Sequence, residues 1–236
     1  MIPEFLHGAA MIALYILPAA GIMLTLRWFF TIPDELFRKI LHFILLGAYV
    51  PFLFAFDTWW ISAGFAAVLS VILYPILALA GRIPTFSSFV NERKQGEFKH
   101  SMVLALGTIA VSICVCWGYM NDRYLVLACV YAWGVGDAFA ALIGKQFGRH
   151  KIHMRFADPN KSLEGSAAMF LTSTTAVFIV LLLRGGLGIG ACLILSAAAA
   201  AVSTLVELCS RNGYDTITCP TVTMIVLLPL VNLFGR

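Results

Sequence analysis

The residues best suited to chemistry are three acids in the C-terminal half of the chain. Asp137 lies in the run WGVGDAFAA, which carries no other charge, Glu207 lies near the end of a later apolar stretch, and Asp215 comes shortly after it. An ionisable group inside a long apolar stretch is costly, which makes an acid there a functional hypothesis by default. Carboxylate oxygens are the ligands that Mg²⁺ prefers. A structural role, as paired or interfacial acids, is the alternative for each of the three.

Glycines and cations are grouped between Asp137 and Glu207, in the stretch GKQFGRHK and in the later run KSLEG. Glycine lets backbone N–H groups approach an anion, and Lys and Arg supply charge for phosphate oxygens. The start of a helix also favours anions. Acids at one end and cations at the other suit a metal–triphosphate. The predicted nucleotide-binding residues are Gly144, Lys145, Gly148, Arg149, Lys151, Lys161, Ser162 and Glu164.

This segment is not a Walker A loop, because GxxxxGK[ST] is absent. A positively charged loop with glycine turns and no ligand is the alternative interpretation.

Two N-terminal segments also carry grouped charges. Glu35, Arg38, Lys39 and His42 have the spacing i, i+3, i+4 and i+7, which places them on one stripe of a helix. Snorkelling of charged side chains at a membrane surface is the alternative to a role in the site. The mixed-charge loop NERKQGEFKHS contains Glu92 and Arg93 and is ordinary when taken alone.

The elements that must position these residues are membrane-spanning helices. Of the 236 residues 61% are hydrophobic and 12% are charged, whereas a soluble domain is about 25% charged. This composition excludes a soluble domain, a disordered chain and a nucleic-acid-binding module. At roughly 20 residues per span, it predicts an all-α, polytopic bundle of about eight transmembrane helices, forming one membrane-embedded domain over 1–236. The apolar stretches lie at about 5–26, 40–56, 59–80, 101–119, 124–144, 166–183, 187–207 and 219–234.

The distribution of Lys and Arg predicts an orientation. With eight spans, 13 of the 16 Lys and Arg residues fall on one side of the membrane. By the positive-inside rule the long basic loops are cytoplasmic and both termini lie on the outer side.

Four segments together resemble the CTP-dependent lipid kinase family, which includes dolichol or polyprenol kinase, phytol kinase and yeast-type CTP-dependent diacylglycerol kinase. The segments are ELFRKILHFILLG, NERKQGEFKHS, GDAFAALIGKQFGRHKI with KSLEGS, and VELCSRNGYDTITCP. The resemblance covers nearly the whole chain after the first span. One position departs from the family, which usually has Asn where this chain has Thr216. A role carried by that Asn in the family has no amide side chain to perform it at this position.

The resemblance implies transfer of the γ-phosphate of CTP to a membrane lipid alcohol, with Mg²⁺ as cofactor and CTP as co-substrate. It implies catalytic roles for Asp137 and Lys161 and a metal-binding group of Asp137, Glu207 and Asp215. Arg38, Lys39, His42, Glu92 and Arg93 would line the cytoplasmic entrance or help to place the nucleotide. The expected partners are the lipid alcohol, the nucleoside triphosphate and the bilayer, without nucleic acid; a homo-oligomer stays open.

Two other functions remain as alternatives. The third segment is shared in outline with CDP-diacylglycerol synthase, a CTP:phosphatidate cytidylyltransferase, but the PGHGG…DRD ending of that family is absent. A transporter would also explain acids inside a membrane. It would not explain five cations with glycines in one loop.

Overall fold

The computed structural model describes residues 2–83, 96–152, 158–159, 161–210 and 213–235. Within these ranges, eight helices are long and apolar enough to cross a membrane, which confirms the prediction of an all-α, polytopic membrane protein. The helices are α1 (Ile2–Phe29), α2 (Asp34–Phe54), α3 (Trp59–Ala80), α4 (Glu97–Ser112), α5 (Arg123–Phe147), α6 (Leu163–Arg184), α7 (Ile189–Cys209) and α8 (Asp215–Phe234). A π-helix, Ile113–Tyr119, continues α4 and completes the fourth span.

Three helix ends differ from the predicted spans in ways that matter for function. Helix α2 begins at Asp34 rather than near residue 40, and α8 begins at Asp215 rather than near residue 219. Acids are favoured in a first helical turn because they face the positive end of the helix dipole. Helix α5 continues to Phe147 rather than ending near residue 144, which places Lys145 inside the helix rather than in a loop. The apolar pattern finds the most hydrophobic part of each helix, and the helical backbone extends beyond it.

The contacts divide the chain into two compact units, residues 1–114 and 115–236. The single domain expected over residues 1–236 stays a prediction.

The first unit contains an aromatic cluster and a hydrogen bond from the start of α3 to a carboxylate of α1. The ring of Phe65 lies 5.2 Å from that of Phe5 and 5.6 Å from that of Phe56. Glu4 Oε1 accepts the backbone N–H of Thr58 at 2.8 Å, directly before α3. The carboxylate of α1 therefore satisfies a donor at the start of α3 that has no partner within the helix.

The second unit is built around α5, which packs against α6, α7 and α8. Helices α5 and α6 are antiparallel, and Ser173 Oγ of α6 donates to the carbonyl oxygen of Ala132 in α5. At the start of α5, Asp122 Oδ1 accepts two first-turn N–H groups at 3.0 and 3.3 Å. The other oxygen of Asp122 accepts Nε of Arg184, the last residue of α6. These contacts hold α5, which carries Asp137, in a fixed position relative to α6.

Candidate functional site

The three acids predicted from the sequence all lie in the second unit, on three different helices. Asp137 is half-buried within α5, Glu207 is 1% exposed near the end of α7, and Asp215 is the half-buried first residue of α8. Lys161 directly precedes the N-cap residue of α6. The sequence suggested a loop position for Asp215, and its place in the first turn of α8 corrects that expectation.

Lys161 links these acids electrostatically. Its Nζ donates to Oε1 of Glu207, and its side chain is 28% exposed. Burial lowers the pKa of Lys161, but the negative charges of Glu207, Asp137 and Asp215 raise it more strongly. The pKa of Lys161 therefore lies above its ordinary value, and the side chain stays protonated at neutral pH. We call Asp137, Lys161, Glu207 and Asp215 the acid–lysine cluster.

Trp133 is a member of this site that the sequence did not reveal. Its indole Nε1 donates to Asp215 Oδ2 at 2.8 Å, and the residue is 4% exposed. Trp133 lies four residues before Asp137, so both occupy the same face of α5. That spacing is the signal that was available in the sequence. The partner was not, because Asp215 lies 82 residues further along the chain.

The acid–lysine cluster has the right donors for Mg²⁺, since all three acids offer carboxylate oxygens. Among the described residues, no group of three or more His, Cys, Asp or Glu side chains is arranged to hold a metal ion. Glu207 is engaged by Lys161 and Asp215 by Trp133. Mg²⁺ is commonly held by one or two carboxylates, with water and substrate phosphates completing its shell. The metal-binding role of Asp137, Glu207 and Asp215 stays a prediction.

The chain between α5 and α6 brings the predicted nucleotide-binding residues close together. Lys151 and Ser162 form an isolated antiparallel bridge. The N–H of Ile152 donates to the carbonyl of Lys161 at 3.1 Å, and the N–H of Leu163 donates to that of His150 at 2.9 Å. The segment that follows α5 is thereby held against the start of α6. Residues 153–157 and 160 of this connection lie outside the described residues.

Glycines allow close packing where the end of α5 meets the start of α6, a contact that we call the α5–α6 crossing. A Cβ added at Gly148 would lie 2.2 Å from the carbonyl oxygen of Gly144 and 2.6 Å from Ser162 Oγ. A Cβ at Gly165 would lie 2.9 Å from the carbonyl oxygen of Ala140. The sequence interpretation gave Gly144 and Gly148 the task of exposing N–H groups to an anion. In the structure, neighbouring backbone and Ser162 fill the space that a side chain would need at Gly148 and Gly165. The nucleotide-binding role of Gly144 and Gly148 stays a prediction.

The start of α6 also finds protein partners for its amide groups. Ser162 is the N-cap residue, and its Oγ accepts the N–H of Gly165 at 3.2 Å. The Glu164 carboxylate accepts the backbone N–H of His150 at 3.2 Å, and the His150 Nδ1 atom lies 2.6 Å from Oε1. Ser162 and Glu164 thus form a cap and a pair. Their predicted roles in nucleotide binding stay predictions, and His150 is a further partner that the sequence did not suggest.

Three cations that were predicted to bind the nucleotide have exposed side chains near the start of α6. Lys145 lies in the last turn of α5, and Arg149 and Lys151 follow it. Their exposure leaves charge accessible to a soluble anion. Together with Lys161, they place four cations within a short length of chain on either side of the α5–α6 crossing.

The remaining candidates belong to the first unit or lie outside the described residues. The stripe predicted near the start of α2 is helical: Arg38 Nη1 lies 3.8 Å from Glu35 Oε2, and Lys39 is 8% exposed. His42 is half-buried on the same helix. Glu92 and Arg93 lie outside the described residues. A role for these residues at a nucleotide entrance stays a prediction.

Comparison with known proteins shows the family to which this chain belongs. A sequence model described as the cytidylyltransferase family matches residues 5–210. With this match over most of its length, the chain belongs to the cytidylyltransferase family, as an integral multi-pass membrane protein.

One curated relative is similar to most of this chain. The phytol kinase of Synechocystis sp. (strain ATCC 27184 / PCC 6803 / Kazusa) is 29% identical over 194 residues, covering 80% of this chain and 76% of the relative. No solved structure gives a significant match. These findings confirm the resemblance to the CTP-dependent lipid kinases and support an activity of that kind or a related cytidylyltransferase-family activity.

Proposed function

We propose that this protein is a CTP-dependent lipid kinase that phosphorylates a membrane lipid alcohol. The observation that carries the proposal is the acid–lysine cluster. Three acids from the apolar helices α5, α7 and α8 act electrostatically on Lys161, which lies just outside the spans at the boundary before α6. A lipid hydroxyl and a soluble nucleotide can meet at such a boundary. The likeness to a phytol kinase supports the same assignment and favours an isoprenoid alcohol among the candidate lipids, which include polyprenol, dolichol, phytol-like alcohols and diacylglycerol.

The lipid tail gives a physical reason for placing this chemistry in a membrane protein. Each CH₂ group moved from lipid to water costs about 0.8 kcal/mol. A soluble enzyme would have to extract the tail, whereas a site at the ends of membrane-spanning helices leaves it in the bilayer. Only the hydroxyl must then reach the acids.

The reaction assigns a different task to each group. The hydroxyl oxygen bonds to the γ-phosphorus of CTP, the bond to the β–γ bridging oxygen breaks, and CDP leaves. Asp137 is the proposed base that accepts the hydroxyl proton at a carboxylate oxygen. The exposed Lys145, Arg149 and Lys151 bind the triphosphate. Lys161 keeps the buried Glu207 paired and adds its charge near the phosphates.

Magnesium is the proposed cofactor because the donors of the cluster are oxygens. Asp215 would hold it together with the substrate phosphates, and the negative charges of Asp137 and Glu207 would lie nearby. When bound, Mg²⁺ neutralises charge on the transferring phosphates.

A second candidate is the cytidylyltransferase reaction, which the description of the matching family favours. Its acceptor is a phosphate, which would need additional cations to hold a second anion. Arg211 is the one cation in the sequence between α7 and α8 and near the start of α8. This poor supply of cations supports a neutral acceptor and hence the kinase.

The orientation of the protein forms part of the proposal. The bias of Lys and Arg supports a cytoplasmic position for the segment between α5 and α6, where nucleotides are available, with both termini on the outer side.

The test uses CTP labelled at either the α- or the γ-phosphate, with the purified protein in lipid nanodiscs. A phytol-like alcohol, a polyprenol, diacylglycerol and phosphatidate are offered separately, with Mg²⁺ and with EDTA. The kinase predicts that γ-label enters a lipid alcohol, that CDP is released and that EDTA stops the transfer. Transfer of α-label to phosphatidate with release of pyrophosphate would overturn the kinase assignment and establish the alternative.

A further inference from the structure

The bond between Trp133 and Asp215 is not explained by helix packing alone. Trp133 belongs to α5 and Asp215 to α8, and the indole Nε1 lies 2.8 Å from Asp215 Oδ2. An indole offers one N–H donor and no acceptor, so a buried Trp needs a partner for that group. Many neutral acceptors could serve. Here the acceptor is a carboxylate of the candidate site.

A bond of this kind fixes the direction of a carboxylate. Hydrogen bonds to an ionised group are shorter and about twice as strong as those between neutral groups. The donor is rigid as well, because Trp133 is 4% exposed and its ring is held by packing. Asp215 is half-buried at the first position of α8, where the chain has just left a turn. The indole therefore holds an acid that its own backbone only partly constrains.

The position of Trp133 in α5 relates it to a second acid of the cluster. Trp133 and Asp137 lie one helical turn apart on one face. Helix α5 thus supplies one carboxylate of the cluster directly and orients another through Trp133. Both Asp137 and Asp215 act electrostatically on Lys161, so the two acids share one site.

We propose that Trp133 is a positioning residue, which holds the Asp215 carboxylate in the orientation needed for catalysis. The proposal rests on the proposed function in one respect, namely that Asp215 acts in phosphoryl transfer. It assigns no contact between Trp133 and substrate.

The experiment compares W133F with W117F. Trp117 is a matched control, since it lies in the same unit and is 5% exposed, but its ring stacks with Arg123 at 4.0 Å. Both variants lose an indole and keep an aromatic ring. We expect W133F to lower kcat by roughly 10- to 100-fold, the equivalent of one hydrogen bond to a charged group, with little change in KM for the lipid. W117F should change kcat less than threefold.

A double-variant cycle separates positioning from packing. Once Asp215 is replaced in D215N, loss of the indole should cost little more, so W133F/D215N should resemble D215N. Thermal stabilisation by CTP with Mg²⁺ provides a second readout where turnover is too low to measure, and unfolding without nucleotide verifies the fold.

Equal losses of kcat in W133F and W117F, or full additivity of W133F with D215N in both readouts, would overturn the inference. Absence of γ-phosphate transfer by the wild-type protein is a separate outcome, which overturns the proposed function. In that case the cycle is still measured through nucleotide-dependent stabilisation.

Discussion

Lys161 is the cation around which three acids are arranged, and its pairing with Glu207 can be tested directly. In K161M the side chain keeps its approximate length but leaves Glu207, 1% exposed, without its cation. Breaking a buried ion pair from one side costs roughly 3–5 kcal/mol. We expect the lower end of this range, because the Lys161 side chain is 28% exposed.

The double variant K161M/E207Q should recover much of that loss, because it removes the unpaired charge. Thermal unfolding in nanodiscs measures the effect. If the double variant is as unstable as K161M, the loss does not come from an unpaired Glu207.

Asp137 is the residue on which the proposed chemistry most depends. We expect D137N to abolish measurable turnover while the protein remains folded and inserted, because the amide can neither accept the proton nor supply a full negative charge. Transfer of γ-label from CTP measures turnover. D57N is the control, since Asp57 is exposed at the turn before α3 in the first unit. Near-normal activity of D137N would assign Asp137 a structural role.

At the scale of helices, the apolar stretches in the sequence were sufficient to predict eight spans. They fail at the helix ends, because backbone hydrogen bonding continues past the apolar stretch wherever capping and dipole effects allow it. Asp34 and Asp215 are both first-turn acids of this kind.

The candidate site was predictable in composition but not in pairing. Asp137, Glu207 and Asp215 stand out because charge is rare in apolar runs. The bonds from Trp133 to Asp215 and from Lys161 to Glu207 join residues 82 and 46 positions apart. Which face of each helix meets its neighbour depends on tertiary packing, and a single sequence does not reveal it.

The crossing of α5 and α6 gives a prediction about helix packing. In G165A the new methyl group would meet the Ala140 carbonyl oxygen at 2.9 Å and push the helices apart. Overpacking of this kind costs roughly 1–3 kcal/mol. The displacement should also lower activity, since Lys161 lies four residues away.

G190A is the matched control, because Gly190 is in α7 and a Cβ there meets nothing within 4 Å. Alanine is the better helix former, so G190A should be neutral or stabilising. Thermal unfolding and turnover of both variants decide the point. Equal stability of G165A and G190A would contradict the close contact.

For the whole molecule, the charge bias predicts which surface faces the cytoplasm. Single cysteines are introduced into a cysteine-free background at His150, whose side chain is 78% exposed, and at Tyr119, which is 85% exposed. An impermeant thiol reagent applied from outside should label position 119 and not position 150. Labelling of position 150 from the outer face would reverse the orientation.

Attachment at both ends of one helix pair has a mechanical consequence. The ion pair of Asp122 and Arg184 joins α5 and α6 at one end. At the other end, hydrogen bonds from Ile152 to Lys161 and from Leu163 to His150 join the chain after α5 to the start of α6. Two helices joined at both ends can neither slide past each other nor separate without breaking one of these contacts. Trp133 and Asp137 therefore lie on a helix whose position is fixed relative to α6. An opening that admits a lipid would then require movement of the neighbouring helices rather than of this pair.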